Sequence, residues 1–278
     1  MAFGDLSRVN TNLQSMGALR TLQDTNQELG IRQMRLATGS RINRAEDDSA
    51  GYTISKKLEA RVRGQAQALS NVGDAKSMLT VAEGSLNSVM DILQTMKEKT
   101  VQAANDTMGT DERTAIKSEL DALSAEITDT LNDTTFNGTA LFSTSANSFS
   151  FQVNAESGDT FAVTINSVSA AGIGAAAASL VVTTSSSANT TLLSIDDAID
   201  DISSLLSNLG DSQKRLSFKQ ENLTTSMNNY EAARSRIADA DFAKEQMEIV
   251  KLQILQQTGT AATAQANQGA QSILSLIG

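Results

Sequence analysis

Residues 195–237 read IDDAIDDISSLLSNLGDSQKRLSFKQENLTTSMNNYEAARSRI, and apolar or aromatic side chains recur in them every seven positions. The repeat consists of Ile195, Ile202, Leu209, Leu216, Leu223, Tyr230 and Ile237. A parallel line of Ile199, Leu206, Gln213, Gln220, Met227 and Arg234 is apolar at half of its positions. A seven-residue repeat held over six steps predicts one long helix that packs with a left-handed supercoil. We expect it to begin at Ser194, with Asp196 and Asp197 in its first turn.

The N-terminal half carries a second repeat of the same period. Val72, Leu79, Leu86 and Leu93 lie seven residues apart, and Ala75, Ala82, Val89 and Met96 fill the line three residues on. This pattern predicts a helix over about residues 45–104, which would be roughly 90 Å long at 1.5 Å per residue. After Gly109, the spacing of Ile116, Leu120, Leu123, Ile127 and Leu131 predicts a third bundle helix.

The middle of the chain alternates instead of repeating every seven residues. Phe149, Phe151 and Val153 alternate with polar residues, as do Phe161, Val163 and Ile165. The loop between the two runs contains Gly158, so the pattern predicts a β-hairpin. We further expect a short strand at residues 180–182 and an exposed Ser/Thr-rich loop up to Thr191.

Composition excludes several classes of function. The chain has 278 residues, a net charge of −10 and no cysteine, histidine, proline or tryptophan. A Ser-His-Asp triad, an HExxH zinc helix and any thiolate chemistry are therefore impossible. The acidic balance argues against nucleic-acid binding, and no stretch has the length and hydropathy of a membrane span. We therefore predict no catalytic, cofactor-binding or metal-binding residues and no enzymatic activity.

Two acidic clusters have the residue types of a metal or acid–base site, but a structural role is the better interpretation of both. Adjacent carboxylates such as Asp47 and Asp48 point in different directions on a helix and are typical of helix caps. The four aspartates at 196, 197, 200 and 201 are interpreted as a solvated acidic first turn.

Both termini are amphipathic. Their apolar residues are Leu6, Val9, Leu13, Met16, Leu19, Leu22 and Leu29 at one end, and Phe242, Met247, Val250, Ile254, Leu255, Ile273, Leu274, Leu276 and Ile277 at the other. Isolated helices of this kind are marginal in water, so they need partners. No Lys or Arg follows Lys251, which favours protein partners over an anionic lipid surface. We expect each terminus to pack on the other and on neighbouring copies.

The stretch GSRINRAEDDSAG at 39–51 resembles bacterial flagellin. The match continues through VQAAN at 101–105, TFNG at 135–138, SRI at 235–237, DADFA at 239–243, QILQQ at 253–257 and AQAN at 264–267. These motifs lie in order over nearly the whole chain, and only about residues 143–192 lie outside them.

The resemblance implies a mainly α fold: a long coiled-coil-like helical bundle formed by the N- and C-terminal halves, with a small β-hairpin region in the middle. Residues 1–44 would form an N-terminal inner-core helix and connecting spoke, and 45–142 the N-terminal rod helices. Residues 143–192 would hold the hairpin and a short variable loop, 193–238 the C-terminal rod helix, and 239–278 the C-terminal inner-core helix. The large outer domains of many relatives would be missing.

The resemblance also implies a function. The chain would be a structural subunit that self-assembles head to tail into the extracellular flagellar filament for swimming motility, after unfolded type III export without a cleavable signal peptide. A hook–filament junction protein of the same family is the alternative. The implied partners are further copies of the chain, a flagellar export chaperone, and hook-associated junction and cap proteins; other flagellins in the same filament stay an open alternative. Neither nucleic acid nor membrane is expected as a partner.

Two sets of site residues follow. The expected inter-subunit core contacts are Leu6, Val9, Leu13, Met16, Leu22, Leu29, Phe242, Val250, Ile254, Leu255, Ile273, Leu274 and Leu276. The rod residues expected to face an animal flagellin-sensing toll-like receptor are Thr95, Lys97, Lys99 and Gln102. Relatives that the receptor recognises carry arginine at position 95 and leucine at position 99, so we expect weak activation. The alternative is that these are simply exposed rod residues, with Lys97 and Lys99 solvated. Residues 183–191 fit either a solvated linker or a site of O-linked sugar.

Overall fold

The computed structural model describes residues 11–142, 147–165 and 180–277, with side chains up to residue 268. Within these ranges the chain forms five helices: α1 (Leu13–Thr38), α2 (Ser49–Ala103), α3 (Thr110–Asp133), α4 (Ser185–Ala238) and α5 (Phe242–Ile277). Four strands form two antiparallel pairs: β1 (Thr135–Phe136) with β2 (Thr139–Ala140), and β3 (Asn147–Gln152) with β4 (Thr160–Ile165). The predicted mainly α fold with a small central β region is confirmed. No helix in the described ranges has the length and hydropathy that crossing a membrane would require.

The chain divides into two compact units. Unit 1 comprises residues 1–60 and 229–278, and unit 2 comprises residues 61–228. Both α2 and α4 run from one unit into the other, whereas α1 and α5 belong wholly to unit 1 and α3 wholly to unit 2.

The core of unit 2 is the pair of predicted repeats. The α2 residues of both lines, from Val72 to Met96, are all buried, and Ile195 to Leu223 bury the facing line on α4. Polar contacts fix the antiparallel pairing along its length. The Nζ of Lys97 lies 2.6 Å from Oδ1 of Asp196, and Gln213 donates to Oε2 of Glu83 at 2.8 Å.

Helix α4 begins nine residues earlier than predicted, at Ser185 instead of Ser194. The hydroxyl of Thr184 accepts from the backbone N–H of Ser187, which caps the helix. Ala188 lies seven residues before Ile195 and is fully buried, so the apolar repeat extends through this extra segment. The aspartates at 196–201 therefore do not form a first turn, and the helix replaces part of the expected loop.

The strand expected at residues 180–182 is absent from the structure as described. Leu180 and Val182 are buried, but the backbone of Val181 is bonded to the Thr191 side chain, through its N–H at 3.1 Å and its carbonyl at 2.8 Å. A side chain of α4 thus takes the place that a neighbouring strand would fill.

Helix α3 is connected to α2 by an arginine. Arg113 donates from Nε to the carbonyl of Ala103 and from Nη2 to that of Asn105, both at 2.9 Å. The carbonyl of Ala103 belongs to the last turn of α2, so Arg113 caps the end of that helix, and its second bond holds the turn that follows. The Nζ of Lys99 also lies 2.7 Å from Oε1 of Glu119 on α3.

The predicted hairpin is the β3–β4 pair. Its register places Phe149 opposite Val163 and Phe151 opposite Phe161, and Gly158 takes a φ of +90° in the loop. The shorter β1–β2 hairpin is not among the predicted elements, although its Asn137–Gly138 turn is a strong hairpin signal. Both turn residues have positive φ, 52° and 77°.

Candidate functional site

The pairing of α1 with α5 is the feature of unit 1 that bears on function. Asn12 caps α1 by accepting from the backbone N–H of Ser15 at 2.9 Å, and Gly39 ends it in the left-handed conformation with φ 69°. We call the buried contact of Leu29, Ile249 and Leu252, with half-buried Leu36, the α1–α5 seam. The predicted packing of each terminus on the other is therefore present, but its apolar part is small.

A buried ion cluster lies beside the seam. Glu245 is 5% exposed, and Nη1 of Arg32 lies 3.2 and 3.1 Å from its two carboxylate oxygens. Nη1 of Arg35 is 4.0 Å from Oε1 of the same carboxylate. Burial would lower the pKa of Arg32, but hydrogen bonds to and charges of Glu245 and Glu28 raise it above its ordinary value. The cluster therefore joins α1 to α5 through one carboxylate that two arginines share.

Further polar contacts extend the pairing toward the ends of the helices. Gln256 donates to Oδ1 of Asn26 at 2.7 Å, and Asn12 donates to the carbonyl of Ala266 at 2.9 Å. The helices approach closely at Gly259, since a Cβ added to this glycine would lie 3.2 Å from Cδ1 of Leu22. The helices are thus joined along most of α1, chiefly by polar groups.

The turn between α1 and α2 is fixed to the link between α4 and α5. The backbone N–H of Arg41 donates to the carbonyl of Ala238 at 2.6 Å, and that of Ala240 donates to the carbonyl of Gly39 at 2.9 Å. These bonds flank a bridge between Ser40 and Asp239.

The carboxylates at 47 and 48 have structural partners, and the predicted capping role is confirmed for Asp48, whereas Asp47 stabilises the turn before the helix. Asp48 accepts from the backbone N–H of Gly51 at 2.9 Å and so caps α2. Asp47 accepts from the backbone N–H groups of Arg44 and Asn43, and these bonds lower the pKa of Asp47 below its ordinary value. In the described residues, no group of three or more acidic side chains is placed to hold a metal ion.

Both helices carry a second apolar stripe that the described residues leave uncovered. We call it the outer stripe: Leu13, Met16, Ile31 and Met34 on α1, and Met247, Val250 and Ile254 on α5. These side chains are between 36% and 67% exposed. At about 100° per residue, Ile31 points roughly 200° away from Leu29, and Val250 and Ile254 point away from Leu252. Each helix thus has one apolar face toward its partner and another toward solvent.

The expected inter-subunit residues fall into three groups. Leu13, Met16, Phe242, Val250, Ile254 and Leu255 are exposed, and Leu22 is half-buried. Leu29 is placed differently from the expectation, because it is buried within the chain against Ile249 and Leu252. Leu6 and Val9 lie outside the described residues, as do the side chains of Ile273, Leu274 and Leu276.

The expected receptor-facing residues lie on the C-terminal part of α2. Thr95 and Gln102 are exposed. Lys97 and Lys99 are half-exposed, but they are held in ion pairs with Asp196 and Glu119 and are not simply solvated.

Paired helices whose apolar faces stay exposed are typical of structural proteins that bury those faces against further protein chains. The family comparisons agree with that class. The model of the bacterial flagellin N-terminal helical region matches residues 9–147, and that of the C-terminal helical region matches residues 192–277. The chain belongs to the bacterial flagellin family.

Relatives match over almost their full length. A flagellin from Halalkalibacterium halodurans is 37% identical, with 97% of this chain and 99% of the relative covered. A flagellin from Bacillus subtilis is 34% identical with the same coverage. The structure of a putative flagellar hook-associated protein from Vibrio parahaemolyticus has a TM-score of 0.60, with 69% of this chain and 100% of that chain covered. At 17% identity this likeness concerns the fold alone and does not favour the hook–filament junction alternative.

Proposed function

We propose that this chain is the structural subunit of a flagellar filament and polymerises head to tail through the outer stripe. The observation that carries the proposal is the second apolar face on both α1 and α5. Large side chains such as Met16, Met247 and Ile254 are 55–67% exposed. Large apolar side chains exposed together on one face mark a protein-binding surface. Burying them against neighbouring copies provides the driving force for assembly.

Open polymers require contacts between different surfaces of the same subunit. In a head-to-tail arrangement each copy offers one surface to the copy before it and another to the copy after it, so the chain of contacts does not close. The outer stripe has separate parts on α1 and on α5, which fits this requirement. The remaining expected contacts, including Leu6, Val9 and the last turns of α5, belong to the same proposal.

The inner-core and rod boundaries expected from the sequence stay part of the proposal. So do unfolded export and the partners expected beyond the filament itself. A chaperone that covers residues 262–278 would shield apolar side chains of α5 before export. Junction and cap proteins would meet the two ends of the filament. The absence of an arginine at position 95 supports weak activation of the toll-like receptor.

Seeded growth tests the proposal. Purified monomer is mixed with short filament seeds, and growth is followed by electron microscopy and sedimentation. The test variant carries Met247→Gln and Ile254→Gln, which remove apolar area but keep helix propensity. The matched control carries Val81→Gln and Leu193→Gln, which change similarly exposed apolar residues in unit 2 (42% and 66%).

We expect the unaltered chain and the control to elongate seeds into long uniform filaments, and the test variant to stay largely soluble. Equal growth of the test and control variants would show that polymerisation does not depend on the outer stripe. If the unaltered monomer only caps seeds, the result favours the alternative function of a hook–filament junction protein.

A further inference from the structure

The outward face of α4 in unit 2 carries two clusters of opposite charge. Asp197, Asp200 and Asp201 form the acidic one, and Lys214, Arg215 and Lys219 form the basic one. Arg215 and Lys219 follow Asp197 and Asp201 by eighteen residues, which is about five turns, so both clusters lie on the same face. All six side chains are exposed, whereas the line from Ile195 to Leu216 is buried.

The basic cluster has no carboxylate partner among the described residues. Arg215 lies over the ring of Phe161 at 4.7 Å, and the other two cations are exposed with no ion pair. Phe218, between them, is 59% exposed. Asp211 and Ser212 complete the groove around this ring, so one carboxylate adjoins the patch. An exposed aromatic ring flanked by cations is typical of a protein-binding surface.

Helix α3 carries a complementary surface, an acidic stripe of Glu126, Asp129 and Asp133. The three residues lie on one exposed face of α3, away from buried Ile127 and Leu131. None of the three has an ion-pair partner among the described residues. The exposed Ala122 and Ala125 next to them leave room for a larger side chain.

The two surfaces point in different directions. Lys97 of α2 pairs with Asp196 of α4, and Lys99 pairs with Glu119 of α3. Lys97 and Lys99 flank the buried line of α2 that includes Met96 and Thr100, so α3 and α4 pack along the two flanks of one buried face. Each of these helices turns its charged face away from the shared core, so the basic and the acidic surface are separate.

We infer that the basic patch of α4 (Lys214, Arg215, Phe218 and Lys219) docks on the acidic stripe of α3 in a second copy of this chain. Two complementary surfaces on different helices give a heterologous contact, the type that generates open polymers. The inference rests on the proposed function and adds a specific contact to it. The acidic cluster of α4, about 27 Å from the basic patch, repels the same stripe and so disfavours a shifted alignment.

Charge exchange between the two helices tests the inference. The α4 variant carries Lys214→Glu and Lys219→Glu; the α3 variant carries Glu126→Lys and Asp129→Lys; a third variant carries all four changes. A control carries Lys57→Glu and Lys244→Glu, which change exposed residues of unit 1 by the same net charge. Far-UV circular dichroism on heating checks that each variant folds. A second exchange pair, Lys219→Glu with Asp133→Lys, replaces any variant that does not fold.

The readout is the concentration of monomer left at equilibrium with seeded filaments at low salt. We expect the α4 and α3 variants each to raise it about tenfold, and the four-change variant to bring it back to within about twofold of the unaltered chain. The increase should largely vanish near molar salt, where charges are screened within a few ångströms.

Two results would overturn the contact: a four-change variant no better than the single-helix variants, or a control that is impaired as much as the α4 variant. Either result with normal growth of the unaltered chain removes this contact and leaves the proposed function intact. Failure of the unaltered chain to elongate seeds refutes the proposed function and, with it, this contact.

Discussion

Replacing Glu245 by alanine tests whether polar groups hold α1 to α5. Glu245 is the one buried carboxylate among the described residues, and it is shared by Arg32 and Arg35. Removing one partner of a buried ion pair costs about 3–5 kcal/mol when the other charge is left without water. The side chains of Arg32 and Arg35 are 21% and 19% exposed to solvent, and Oε1 of Glu28 lies 3.4 Å from Nη2 of Arg32. Partial compensation therefore reduces the expected loss to about 2 kcal/mol.

That loss is large relative to the seam. Leu29, Ile249 and Leu252 are the buried apolar residues of its cluster, and burying one such side chain contributes about 1.5–3 kcal/mol. Losing Glu245 should therefore weaken the pairing about as much as losing one of these three. Unit 2, with its own core, should be unaffected.

Hydrogen exchange measured by mass spectrometry on the monomer separates the two units. We expect Glu245→Ala to reduce protection of α1 and of residues 242–268 roughly thirtyfold, while peptides of α2 around Leu86 exchange as before. The matched control is Glu248→Ala, which removes a partly exposed carboxylate 3.3 Å from Lys251 one turn away. Exposed pairs contribute about 0–1 kcal/mol, so the control should change little. Equal protection in the two variants would refute the argument that the buried cluster holds the pair.

The remaining predictions concern the turns and the core. Gly51→Ala places a Cβ 2.6 Å from Oδ2 of Asp48 and should lower the thermal stability of unit 1 by about 1–2 kcal/mol through loss of the cap; an unchanged melting curve would contradict this. Arg113→Ala should cost about 1–2 kcal/mol in urea unfolding of unit 2, and Arg113→Lys less, because the carbonyl of Ala103 at the end of α2 loses this donor and that of Asn105 loses one of two. The pKa of Asp47 is lowered in the folded state, so its stabilising effect is present above its ordinary pKa near about 4 and is lost as the pH falls through the lower folded value. Asp47→Asn should therefore flatten the acid limb of stability against pH, and an unchanged limb would argue against this role. Leu86→Ala should destabilise unit 2 by about 2–5 kcal/mol in urea unfolding, because the side chain is fully buried; a loss below 1 kcal/mol would be too small for that position.

Periodic features were predictable from the sequence because burial on a helix or strand follows its geometric period. The seven-residue lines through Leu79 and Leu209 gave the core of unit 2, and alternation around Phe161 gave the β3–β4 hairpin. The cap of α2 by Asp48 was also predictable, since a local pattern of side chain and backbone is sufficient for it.

Features that depend on competing local signals or on distant partners were less predictable. Ser194 with its aspartates resembles a helix start, but Thr184 and Ser187 form the actual cap. The β1–β2 hairpin was predictable, in contrast, because its Asn137–Gly138 turn is a local signal. The pairing of Arg32 with Glu245 joins residues 213 positions apart, so no local pattern reveals it.

The two units differ in how much of their apolar surface is buried within the chain, and this difference connects the fold to assembly. Eleven of the sixteen exposed large apolar residues among those described lie in unit 1, although it has far fewer buried ones than unit 2. Unit 2 therefore has its own core, whereas the proposed assembly would bury the apolar side chains that α1 and α5 expose. Gly30 lies on α1 with no atom within 4 Å of an added Cβ, so Gly30→Ala stabilises the helix through its backbone and adds no contact to α5. This change should leave the outer stripe intact and reduce the ordering cost of assembly. We therefore expect Gly30→Ala to lower the equilibrium monomer concentration in seeded growth, and a rise in that concentration would contradict the link between helix order and assembly.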